Sequence, residues 1–96
     1  MAASQAIIKT ASASRYLQQL CKHWAYKFAA EFTPEQGVIP FGDGRTCRLS
    51  AGADALTLIL ETPDAETQSK MQDVVFDHLK RFAFREELPA PIWTAA

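Results

Sequence analysis

The spacing of hydrophobic positions changes period along this chain, and each change marks an element. Ala6 to Thr10 is a short β-branched run containing Ile7 and Ile8, which reads as a first strand. From Ser14 to Phe28 the apolar residues recur at helical spacing. Leu17, Leu20, Cys21, Trp24 and Phe28 share one side, while Arg15, Gln18, Gln19, Lys22 and Tyr26 occupy the other. Ser12 or Ser14 stands where a hydroxyl would cap the opening turn.

After Ala30 the period falls to two. Ala30 to Thr33, Val38 to Phe41, Thr46 to Ser50 and Leu56 to Glu61 read as strands, separated by turns at Pro34–Gly37, Gly42–Gly44 and Gly52–Asp54. Pro40 cannot donate to a ladder, so its strand is expected at an edge or with a bulge. Thr62-Pro63-Asp64 then opens a second helix, with Thr62 as the capping hydroxyl, Pro63 at the first helical position and Asp64 as an early acid. Met71, Val74, Val75, Leu79 and Phe82 form its apolar stripe. Lys80, Arg81 and Arg85 gather near its end, and Pro89 and Pro91 stop it.

The order β-α-β(3-4)-α predicts a two-layer α+β domain, with two helices beside an antiparallel sheet of four to five strands. Ninety-six residues suffice for one domain. Its folded core is expected over 6–88, with 89–96 as a C-terminal tail. The chain carries 10 basic and 11 acidic residues, for a net charge of −1. That balance lacks the basic footprint of a nucleic-acid binder. No apolar run approaches the ~20 residues that span a bilayer, so no membrane partner is expected. The N-terminus lacks the apolar core of a signal peptide, and Cys21 and Cys47 read as buried free thiols. Both observations point to a soluble, cytoplasmic protein.

Candidate chemistry gathers where the apolar stripes meet polar residues. Tyr16, His23 and Lys27 fall along one border of the first helix, with His23 and Lys27 four residues apart and therefore neighbours. A histidine titrates near neutrality and a lysine supplies charge, which suits a small anion or a proton transfer. Packing alone is the plainer account of each, since border polar residues commonly rest their stems on the core. His78 lies within the second stripe and is expected to be a core histidine holding a hydrogen bond. The sharper expectation has His23 and His78 meeting across the helix–helix groove with Arg81 beside them.

Metal binding and nucleophilic catalysis find less support. Cys21 and His23 are two apart on a helix and point away from each other, so they cannot grip one ion, and no metal or other cofactor is expected. Neither cysteine has an activating setting, and no serine sits at a glycine-flanked elbow, so no catalytic residue is assigned. Phe76 falls on the far side of the second helix from Val74 and His78. Together with Ile92 and Trp93 in the tail, it marks a possible interface, covered by the folded-back tail or by a second copy in a homodimer.

Two blocks of residues carry a family resemblance. Leu20-Cys21-Lys22-His23-Trp24, Lys27-Phe28 and Glu31-Phe32 form the first. Asp77-His78-Leu79 with Arg81-Phe82-Ala83-Phe84-Arg85-Glu86 forms the second. Over nearly its whole length the chain resembles the bacterial domain-of-unknown-function family 2218. Its members are small uncharacterised proteins, and related domains are associated with siderophore-interacting, flavin-dependent ferric reductases. The resemblance implies a link to iron or siderophore handling and assigns no catalytic residues. The combined expectation is a non-enzymatic accessory or binding domain whose groove is lined by Tyr16, His23, Lys27, His78 and Arg81. Its partner would be a small anion, a siderophore-type chelate or a protein. An enzyme using a histidine acid–base with Lys27 or Arg81 is the alternative, and a structural homodimer or interaction module is a third.

Overall fold

A computed structural model gives the fold and describes residues 2–96. Its elements run β1 Ala2–Lys9, α1 Ala13–Ala25, β2 Glu31–Phe32, β3 Gln36–Gly42, β4 Arg45–Ala51, β5 Ala55–Thr62, α2 Ala65–Phe82 and β6 Thr94–Ala95. All strand pairs are antiparallel, in the order β2-β3-β4-β5-β1-β6. The α+β class therefore holds, but the sheet has six strands instead of four to five. The first strand begins at Ala2, four residues before the expected Ala6. The extra strand is β6: Thr94 and Ala95 of the expected tail pair with Gln5 and Ser4.

Alternation along the strands sends one face to the core. Ala6, Ile8, Ile39, Phe41, Cys47, Leu49, Leu56, Leu58 and Leu60 are buried under the helices. Their alternates, including Ile7, Pro40 and Arg48, face out, so the opposite side of the sheet is uncovered. Asp43 and Gly44 both have positive φ (55° and 78°), the backbone of a two-residue type I′ hairpin whose twist matches the flanking strands. The register shifts between Pro40 and Gly42, so Phe41 occupies a bulge beside the proline, as the sequence suggested.

Both helix starts differ from expectation. Ser12 is the N-cap of α1 but makes no side-chain cap bond, and the Ser14 hydroxyl instead donates to the Pro34 carbonyl oxygen. In α2 the cap is Asp64, whose carboxylate accepts from the Thr67 amide at 2.7 Å; Thr62 donates to the Asp64 carbonyl oxygen at 2.8 Å. Pro63 consequently precedes the cap instead of following it.

A polar bolt that the sequence did not announce fixes α2 to the sheet. Gln68 is buried, and its Nε2 donates to the Ala2 and Leu60 carbonyl oxygens at 3.0 and 3.2 Å and to Thr62 Oγ1 at 3.1 Å. Its Oε1 accepts from Ser4 Oγ at 2.7 Å. Bonds at both ends of the amide offset the cost of burying it.

Candidate functional site

The end of α1 is where chemistry collects, and its geometry follows from an early stop. The helix ends at Ala25, so Lys27 and Phe28 lie beyond it in a turn whose amides both donate to the Trp24 carbonyl oxygen, at 3.1 and 2.8 Å. The expected helix through Phe28 is thus one turn too long. The turn swings Phe28 onto Phe41, ring centroids 5.1 Å apart, and Trp24 meets the same Phe41 edge-on at 5.0 Å.

Beside this aromatic wall the two helices bring their histidines together. The rings of His23 and His78 lie 5.0 Å apart between centroids, and His78 also packs 4.7 Å from Trp24. Phe82 closes on His23 at 5.8 Å. Burial, then the neighbouring His78 and Arg81, hold the His23 pKa below its usual value. His78 is half-buried, not a core residue, and its Nδ1 hydrogen bonds to the Val74 carbonyl oxygen at 2.7 Å.

An open cleft of about 250 Å³ lies against these groups, lined by His23, His78, Trp24, Phe41, Lys27 and Arg45, with Met71 and Val74 of α2 contributing to its wall. Arg45 is held in place from behind. Its Nε and Nη2 donate to the Gly42 and Phe41 carbonyl oxygens at 3.0 and 3.1 Å, which fixes a guanidinium that would otherwise swing. Among the described residues no carboxylate lines the cleft. Arg45 and the aromatic Phe41 were not singled out in the sequence. The paired Trp24 and Phe28, with a bulged strand opposite, were the only signal for them.

The other expected residues distribute as follows. Tyr16 does not reach the cleft. It is buried two turns earlier on α1, and its hydroxyl donates to Glu86 Oε1, which also accepts from Thr10 Oγ1 at 3.1 Å. That cluster ties the segment after α2 back to β1 and α1, so Tyr16 serves packing at the opposite end of the groove. Arg81 is exposed; it bears on His23 through its charge without lining the cleft. Phe76 is half-buried against the chain's own core, as is Trp93, whereas Val74 is 38% exposed. The helix is therefore rotated on the sheet relative to the expected stripe. Of the three residues expected at an interface, only Ile92 stands free, at 81% exposure.

A larger cleft, about 600 Å³, lies on the uncovered sheet face between Phe32, Val38, Arg48, Thr57 and Ile59. It is the roomier of the two, but it holds no histidine or cysteine, and its Arg48 is already paired with Glu61 at 2.9 Å. Chemistry favours the smaller one. Among the described residues, no group of three or more histidine, cysteine, aspartate or glutamate side chains could hold a metal, and no helix is long and apolar enough to cross a membrane.

Comparisons with known proteins agree with this fold. No curated protein matches the chain. Among solved structures, the NMR structure of PA4090 from Pseudomonas aeruginosa is 46% identical, covering 98% of this chain and 96% of that one with a TM-score of 0.81. Residues 5–94 match the model of a family described as an uncharacterized protein conserved in bacteria. With nearly its full length matched, the chain belongs to the bacterial domain-of-unknown-function family 2218.

Proposed function

We propose that the protein is a small-ligand binding domain, and that the cleft between the end of α1, the bulge of β3 and α2 takes a compact organic anion with a flat apolar body. The observation that carries this reading is the composition of the lining. Lys27 and Arg45 supply positive charge, Trp24, Phe28 and Phe41 supply aromatic surface, and no carboxylate among the described residues opposes an anion. A guanidinium already braced by two carbonyl oxygens loses little freedom on binding, which favours recognition of a planar carboxylate.

The size argues for a small ligand, because drug-sized pockets run from roughly 300 Å³ upward. A cleft of about 250 Å³ accommodates one aryl acid. A link to siderophore handling would therefore involve a single aryl or acid arm at this cleft instead of a whole ferric chelate. Cys21 and Cys47, both free and buried, suit a reducing compartment, which is consistent with such a ligand in the cytoplasm.

Benzoate is the probe that tests the reading. Titrated into the ¹⁵N-labelled protein, it should shift the amides around Trp24, Lys27, Phe41 and His78 and leave the open sheet face unmoved. Lys27→Met should weaken binding by about tenfold, near the 1.4 kcal/mol of one charge-assisted contact, without altering the melting temperature. Shifts confined to the sheet-face cleft, or none at ~10 mM benzoate, would overturn it.

A further inference from the structure

His78 offers a ligand only one of its ring nitrogens. Its Nδ1 lies 2.7 Å from the Val74 carbonyl oxygen one turn earlier on α2. A carbonyl oxygen can only accept, so Nδ1 carries the hydrogen and donates it. In the neutral ring Nε2 is then a bare lone pair, on the ring edge turned away from the helix backbone. This ring lines the cleft, as does that of His23, 5.0 Å from it. A lone pair repels an anion, whereas a second N–H attracts one.

The surroundings of His23 favour its neutral form while the cleft is empty. Lys27 comes from the turn after α1, Arg45 from β4, and Arg81 from α2; all are positive. Asp77, adjacent to His78, is engaged by Lys80 at 3.5 Å. Tyr26, its ring 6.2 Å from that of His23, is 80% exposed. Burial and the facing His78 and Arg81 act on His23 in the same direction. An arriving anion reverses the balance, because it partly neutralises the cations and gives a second imidazole hydrogen an acceptor.

We propose that the cleft takes up an organic anion together with one proton, shared by the facing imidazoles of His23 and His78. The inference rests on the anion reading above and adds to it that occupancy follows pH as well as concentration. The proton comes from the buffer, no bond of the ligand changes, and the added charge is zero.

Calorimetric titration of benzoate at pH 7.5 in Tris and in triethanolamine buffer tests this directly. The apparent heats should differ by the difference in buffer ionisation enthalpy times a proton number close to one. Between pH 7 and 8 the dissociation constant should rise by up to about tenfold, the slope that one linked proton imposes. In the double variant His23→Gln, His78→Gln the amides donate without titrating, so the proton number should fall to zero. Benzoate binding by the natural protein with a proton number of zero would overturn the proposal and leave the anion reading standing. No benzoate binding at all would overturn both.

Discussion

The imidazole of His23 stands 5.0 Å from that of His78, centroid to centroid, across the groove between α1 and α2. Neither is close in sequence to the other, and among the described residues no charged partner other than cations accompanies them in the cleft. A histidine held neutral in this way couples folding to pH.

The sign follows from the direction of the shift. Burial, His78 and Arg81 hold the His23 pKa below its ordinary 6.5, so the unfolded chain binds a proton at a pH where the native one does not. Its contribution is fully present above the unfolded value and is lost as pH falls through 6.5 toward the native pKa. Urea midpoints should therefore drop between pH 7.5 and pH 5, and His23→Asn should show a shallower drop. Equal slopes for the two proteins would count against it.

Gly37 is required by closeness. A Cβ built there would sit 2.8 Å from Cys21 Sγ and 3.3 Å from Phe32 Cβ, so β3 can press on α1 only with glycine at that point. Gly37→Ala should cost about 1–3 kcal/mol, the range for overpacking a core. Adding Cys21→Ala removes the struck atom, and the double variant should lose at least ~0.5 kcal/mol less than the sum of the singles. Strict additivity in denaturation would show that the contact is not the cause.

Tyr16 and Glu86 act as a latch between α1 and the segment after α2. Tyr16→Phe leaves the carboxylate with Thr10 alone and should lower stability by ~1–2 kcal/mol at pH 7. Burial first, then the Glu86 hydrogen bond and charge, raise the Tyr16 pKa above 10.0. Its stabilisation is complete below the unfolded value and fades as pH rises through the native one. The natural protein should accordingly lose stability above pH 10 more steeply than Tyr16→Phe, as read by thermal melts across pH 9–11.

The two cysteines should be inert in the native protein. Burial pushes the Cys21 thiol up to about 11, and burial with the nearby Cys21 pushes Cys47 up to about 12. Only the thiolate reacts, and at pH 8 it is on the order of a thousandth of Cys21 and less of Cys47. Ellman's reagent should label neither until guanidinium is added, after which both should react. Rapid stoichiometric labelling of the folded protein would contradict this.

How much of this was legible beforehand divides along physical lines. Local periodicity was enough for both helices, for strands β3, β4 and β5, and for the bulge at Pro40, because each depends on backbone rules that act within a few residues. The two-residue β6 has no period to read, so that end of the sheet was missed, whereas β2 falls within the expected Ala30 to Thr33 strand. Capping was misplaced for a similar reason: Thr62 and Asp64 are both competent, and tertiary contacts to β5 and Gln68 decide between them.

The candidate site shows the same division. His23, Lys27 and His78 lie at stripe borders, and borders are computable from 100° per residue. The rotation of α2 on the sheet is not, because it is set by how Met71, Val75, Phe76 and Leu79 fit under the strands; that rotation brought Phe76 against the core and released Val74. Tyr16 shares a helix face with His23 but lies two turns away, and only the chain's return to Glu86 shows that its hydroxyl is already engaged. The sequence by itself determined which strand residues face the core, because burial along a strand follows a local period. Only the tertiary structure decided which polar residues meet, because that depends on where distant segments cross.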